Sequence, residues 1–175
     1  MKAEVKWLEE SKFVAESGTG HSVVIDTPDS NKGPSPMEML LMGMGGCTGV
    51  DVISILKKAR QKVQNCNVQV EAKREDDYPR IFRKIHLHFI LNGTNLSEHQ
   101  VQRAIQLSQE KYCAASIIMG RSGAEVTHSY EIMAEPQEDQ ASRFWKVDEV
   151  VLHQLSALSL SIPLIFFLEE GGADS

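Results

Sequence analysis

The chain has 175 residues, 42% of them hydrophobic and 24% charged; these are ordinary globular values, enough to bury a core without metal or disulfide staples, and they fit neither a disordered nor a fibrous class. The net charge of -6 is uneven, because from Glu138 onward seven acids stand against only Arg143 and Lys146, which leaves the body near neutral. With no basic stripe and no Cys/His finger spacing, nucleic acid is excluded as an expected partner.

Met1 is followed by Lys2, Glu4 and Lys6 rather than a basic and then an apolar stretch, so no signal peptide is expected and a cytoplasmic setting is. Ala3, Val5 and Trp7 alternate with Glu4 and Lys6, and Phe13-Val14-Ala15 and Ser22-Val23-Val24-Ile25 follow across Gly18 and Gly20. This predicts three short antiparallel strands. A Pro-, Asp-, Ser- and Gly-rich loop from Thr27 to Pro36 then opens a helix from Met37 to about Gln61. That helix has almost no polar stripe in its first two thirds, so it is expected to be central and buried. Glycines at 43, 45, 46 and 49 each weaken it by up to about 1 kcal/mol relative to alanine, which predicts a close backbone approach around Cys47.

Two further alternating runs, 68–72 and 84–91, flank the turn at Glu75-Asp76-Asp77-Tyr78-Pro79 and predict a hairpin. Ser97 with Gln100 resembles a capping box. Val101, Ala104, Ile105, Leu107 and Ser108 then recur at helical spacing, so a second long helix is expected to end near Cys113, and residues 124–132 alternate again and close the sheet. The fold class is α+β, with one domain over residues 1–136. Residues 137–175 form an extension of unassigned role, expected to be helical around 147–168. Within it, His153, Gln154, several serines and Pro163 interrupt the apolar run 150–168 and no positive flank orients it, so an amphipathic helix is favoured over a membrane span.

Three cysteines do not make a secreted disulfide framework. Cys47 lies among small residues in Gly45-Gly46-Cys47-Thr48-Gly49, which leave its sulfur uncovered, and Cys113 falls at the end of the second helix in Tyr112-Cys113-Ala114-Ala115-Ser116. A cysteine on an apolar helix is by itself an inert core residue; the pair raises the stakes. Cys66 reads as a half-buried strand thiol. Asp51, four residues after Cys47, is positioned to raise that thiol's pKa. His86 and His88 share a sheet face, but no Cys, Asp or Glu nearby completes a ligand set, so no metal and no cofactor are expected.

Gly33-Pro34-Ser35-Pro36-Met37-Glu38-Met39-Leu40-Leu41, running into Gly45-Gly46-Cys47-Thr48 with Cys113 downstream, resembles the OsmC/Ohr proteins of osmotic and organic-peroxide stress, and among them a subgroup of shorter chains. The resemblance spans about residues 1–135. It implies an interlocked homodimer in which two antiparallel six-stranded sheets wrap two central helices, with the reactive cysteines at the subunit interface. It further implies a catalytic set of Cys47 as the peroxidatic thiol, Cys113 as the resolving thiol and Glu38 as the acidic partner of the thiolate. A small hydroperoxide is the implied substrate and a dithiol the implied reductant. Glu38 has a second reading, as a first-turn glutamate favouring the helix dipole.

One departure bears on activity. Family members with clear peroxidase activity supply an arginine from the N-terminal strands or a nearby loop, whereas here the first arginine is Arg60, and Lys12 and Lys32 lack a planar fork. Without that cation the Cys47 pKa is expected near the ordinary thiol value of about 8.5. Two functions are thus carried forward, a thiol-dependent hydroperoxide reductase and a non-enzymatic dimer binding a small hydrophobic or thiol-reactive ligand at its interface. A membrane-docking role through 150–168 is the third and is disfavoured.

Overall fold

The structure, a computed structural model, describes residues 1–133. The expected extension 137–175, its helix around 147–168 and the domain boundary at 136 lie outside the described residues.

The alternating N-terminal segments form the expected antiparallel meander, with β1 (Ala3–Glu9), β2 (Lys12–Ser17) and β3 (Ser22–Ile25) in the order β1-β2-β3. Trp7 stands opposite Phe13, and Phe13 opposite Ile25, so the large side chains align across the sheet. The following loop is pinned by Asp26. Its carboxylate accepts from Ser11 Oγ at 2.7 Å, from the Thr27 N–H at 2.7 Å and from the Lys32 N–H at 3.3 Å, and its own N–H donates to the Pro34 carbonyl at 3.1 Å. These bonds deliver Ser35 to the start of the helix.

Helix α1 (Pro36–Lys58) opens with a complete capping box, in which the Glu38 N–H donates to Ser35 Oγ and the Ser35 N–H to the Glu38 carboxylate, and closes with Lys57 and Lys58 at its negative end. The expectation of a central, buried helix is met in part within one chain. Only one stripe is covered, through Met44, Gly45, Thr48, Val52 and Leu56, while Leu40, Met42 and Val50 stand open, Val50 at 70% exposure.

The predicted hairpin is present but longer than the alternation indicated, as β4 (Lys62–Arg74) paired with β5 (Phe82–Thr94). The second capping box is not formed. Ser97 does stand at the N-cap of α2 (Glu98–Leu107), but its side chain makes no cap bond and its N–H donates instead to Gln61 Oε1 at 2.8 Å. The helical path does end at Cys113, as expected, but by way of an irregular turn and with a further helix after it. A π-helical turn (Ser108–Tyr112) breaks the register, Cys113 takes an extended conformation, and α3 (Ala114–Arg121) begins immediately after it.

Strand β6 (Glu125–Met133) closes the second sheet in the order β4-β5-β6, but it pairs with β5 in parallel. Within one chain the strands therefore form two three-stranded sheets, one antiparallel and one mixed, and the expectation of wholly antiparallel pairing is corrected. The reason is topological: α2, the π turn and α3 carry the chain back to the end of the sheet where β5 began, and a strand that returns this way runs parallel.

The core lies between this mixed sheet and the helices. Ile85, Leu87, Phe89 and Leu91 on β5 are fully buried against Met44, Val52 and Leu56 of α1 and Val101, Ala104 and Ile105 of α2. Each large apolar side chain so covered contributes roughly 1.5–3 kcal/mol. By the same measure the meander gains little, since every residue of β1 is exposed.

Candidate functional site

Cys47 opens the fourth turn of α1, and Cys113 is the N-cap of α3. Folding of one chain brings them together: their sulfurs and an Asp51 carboxylate oxygen all lie within 4.8 Å of one another. Since a disulfide is about 2.05 Å long, side-chain movement of roughly 3 Å at most would join the sulfurs. Cys113 is fully buried and Cys47 half-buried, so the latter is the sulfur a small molecule reaches.

Close approach at this point depends in part on the glycines, as the sequence predicted, though not on all of them. A Cβ on Gly45 would stand 3.0 Å from Val70 and one on Gly49 3.4 Å from Val68, so these two let α1 lie against β4, whereas Gly43 and Gly46 face open space.

Polar groups around Cys113 explain its chemistry. Thr48 Oγ1 lies 3.3 Å from the sulfur, and the Ser116 N–H donates to it at 3.4 Å, as the first turn of a helix does to its N-cap. Burial pushes the Cys113 thiol up, but the Ser116 and Thr48 hydroxyls, the Ser116 N–H and the Cys47 thiol outweigh it, and the pKa falls below the ordinary value. Cys47 moves the other way. Burial raises its pKa, the Ala115 N–H opposes this, and its hydrogen bond to Cys113 together with the negative charges of Cys113 and Asp51 adds to the rise. Asp51 thus acts as expected from its spacing; its carboxylate is held in turn by Ser108 Oγ at 3.4 Å.

Glu38 does not join this cluster. Its carboxylate accepts from the Ser35 N–H at 2.7 Å, and Ser35 holds its pKa below the usual value. It faces a groove of about 750 Å³ bounded by Pro34, Leu41, Met42 and Val70, whose lining includes neither cysteine. Among the described residues no ion pair brings a cation to the sulfurs, and Lys12 is engaged with Glu9 at 2.6 Å. Cys66 sits within β4, where burial pushes its thiol up to about 11. His86 and His88 share the outer face of the mixed sheet, as expected, and both contact Ser129 Oγ, at 2.8 and 2.7 Å.

Thr48, Ser108 and Ser116 were not anticipated. Thr48 adjoins Cys47 in sequence, but helical geometry turns it toward Cys113, and Ser116 acquires its role only because the helix restarts after the π turn.

A family model described as "OsmC-like protein" matches residues 29–129. The chain is 46% identical to Protein YhfA of Escherichia coli strain K12 over 134 residues, which cover 77% of this chain and 99% of YhfA. Among solved structures, a hypothetical protein from Aquifex aeolicus VF5 is 31% identical with a TM-score of 0.70, covering 77% of this chain and 97% of its own. The organic hydroperoxide resistance protein OhrB of Bacillus subtilis shares the fold at 18% identity, with a TM-score of 0.53 and coverage of 75% and 98%.

Proposed function

Because this chain belongs to the OsmC-like family and holds two thiols side by side, we propose that it is a cysteine-dependent hydroperoxide reductase cycling through a Cys47–Cys113 disulfide. The observation that carries the proposal is the approach of the two sulfurs within 4.8 Å.

Cys47, the accessible sulfur, is the nucleophile. Its thiol donates to the Cys113 sulfur, so a Cys113 thiolate is placed to take that proton as Cys47 attacks. A sulfur–oxygen bond forms, the peroxide O–O bond breaks, and its electron pair leaves with the alkoxide, which is protonated to an alcohol. The sulfenic acid on Cys47 then condenses with Cys113, forming the disulfide and releasing water before further oxidation can occur. A dithiol reductant restores both thiols by exchange and leaves as a disulfide. A reducing, cytoplasmic setting suits this cycle. Glu38 contributes by fixing the start of α1.

The working unit is a homodimer. The open stripe of α1 and the exposed meander, with Trp7 and Val5 bare, are surfaces that a second copy would cover. A three-stranded sheet from each of two copies would complete each six-stranded sheet.

The test is peroxide consumption by the full-length protein with a dithiol reductant. Turnover is expected, with loss in Cys47→Ser and accumulation of over-oxidised Cys47 in Cys113→Ser. If no turnover depends on Cys47, the reductase reading fails. The second reading, a dimer that binds a small hydrophobic or thiol-reactive ligand without turnover, is favoured by the groove beside α1 and by the absence, among the described residues, of an ion pair that brings a cation to the sulfurs; ligand-dependent melting without peroxide loss would select it.

A further inference from the structure

Among the described residues, one cluster combines soft and hard metal-ligating atoms, and it is Cys47, Asp51 and Cys113. We propose that it is a binding site for a thiophilic divalent cation, with Zn²⁺ as the fitting ion. Cys47 and Asp51 stand four residues apart on α1, which places both side chains on one face of the helix one turn apart. Cys113 enters from the start of α3 to give the third ligand, and all three donor atoms lie within 4.8 Å of one another. Two thiolates and a carboxylate form a three-ligand set of the kind zinc accepts, leaving a fourth tetrahedral position for water on the side where Cys47 is accessible.

The surroundings suit a metal as well as the three ligands do. Ser108 Oγ orients the Asp51 carboxylate at 3.4 Å, and the Ser116 N–H donates to the Cys113 sulfur at 3.4 Å, as outer partners do at metal–thiolate sites. Binding replaces the thiol protons with the metal, so Zn²⁺ entering a site with both thiols protonated releases two protons and oxidises nothing. Coordination draws on a lone pair of each thiolate and so slows attack by either sulfur on a peroxide or on the other sulfur. The cation is thus a reversible brake on disulfide chemistry, and its binding requires no peroxide, reductant or turnover.

The test uses the reduced full-length protein with Zn²⁺ alone, titrated against a chromophoric zinc competitor, and with Co²⁺ as a spectroscopic stand-in. One equivalent per chain is expected, with a thiolate-to-cobalt charge-transfer band and the visible bands of a tetrahedral centre. Cys47→Ser and Cys113→Ser should abolish the charge-transfer band or halve it. Asp51→Asn should weaken zinc by at least about tenfold and shift the visible bands, and Ser108→Ala should weaken it by about tenfold. Cys66→Ser should bind as the wild type does. Stoichiometric zinc that is unaffected by Asp51→Asn, or that is lost in Cys66→Ser, would overturn the site, as would the absence of any saturable binding. Because each readout is taken without peroxide, failure of the reductase activity leaves this result standing, and the reverse also holds.

Discussion

Thr48 has one hydroxyl proton and more than one acceptor for it, since it donates to the Met44 carbonyl at 2.7 Å and also lies 3.3 Å from the Cys113 sulfur. While Cys113 is a thiol, its S–H can donate to Thr48 Oγ1. Once Cys113 is a thiolate, the hydroxyl must turn to it and give up the carbonyl. Thr48→Val removes that donor in nearly the same volume and leaves the Met44 carbonyl in its helical bond. The expected result is a Cys113 pKa that moves up with little loss of stability, read as thiolate absorbance against pH in a Cys47→Ser background. Cys66, at about 11, stays protonated through that range. Asp26 supplies a second residue-scale prediction. Its hydrogen bond from Ser11 comes first among the causes that hold its carboxyl at about 2, below the usual carboxylate range. A depressed acid contributes stability that is fully present above its unfolded pKa of about 3.9 and is lost as pH falls toward its folded value. Asp26→Asn should therefore flatten the decline in melting temperature between pH 4 and about 2. An acid limb unchanged from the wild type would show that other carboxylates govern it.

At the scale of elements, the start and the packing face of α1 matter most. Ser35→Ala should cost about 1 kcal/mol through loss of the cap. Glu38→Gln should cost almost nothing, because a glutamine also completes a capping box. The same variant tests the other reading of Glu38: turnover should stay close to wild type, and a large fall in turnover at unchanged stability would return the carboxylate to a catalytic role. Gly45 lets α1 approach β4, and a leucine there would drive its side chain into Val70. Overpacking of this kind costs about 1–3 kcal/mol. Gly45→Leu should lower the denaturation midpoint and separate Cys47 from Cys113, seen as slower disulfide formation with a mild oxidant.

For the molecule as a whole, the question is what covers the apolar surface one chain leaves open. Val50 is 70% exposed and Trp7 65%, on an apolar helix stripe and on a sheet that buries little of itself. Two copies covering these surfaces would form a dimer, and a charge at Val50 would oppose it. Light scattering should give twice the chain mass for the wild type and a shift toward the monomer for Val50→Glu. A wild-type protein of single-chain mass at micromolar concentration would exclude the homodimer.

Alternation and helical spacing were sufficient to locate the strands of the meander, the β4–β5 hairpin, α1, α2 and β6, because each signal is carried by neighbours along the chain. Cys47, Cys113 and Asp51 were also legible, as a motif with its register, a second cysteine and an acid one helical turn away. The parallel pairing of β6, the π turn and the restart at α3 were not. Each depends on how helices that come between strands pack, and no local pattern records that. For the same reason Thr48 and Ser116 became neighbours of Cys113 only in the folded chain, and Glu38 was assigned to its cap only by the hydrogen bonds it makes there. The sequence by itself determined which groups are available for thiol chemistry; tertiary structure alone decided their distances and relative acidity, because burial and hydrogen bonding between segments remote in sequence set both.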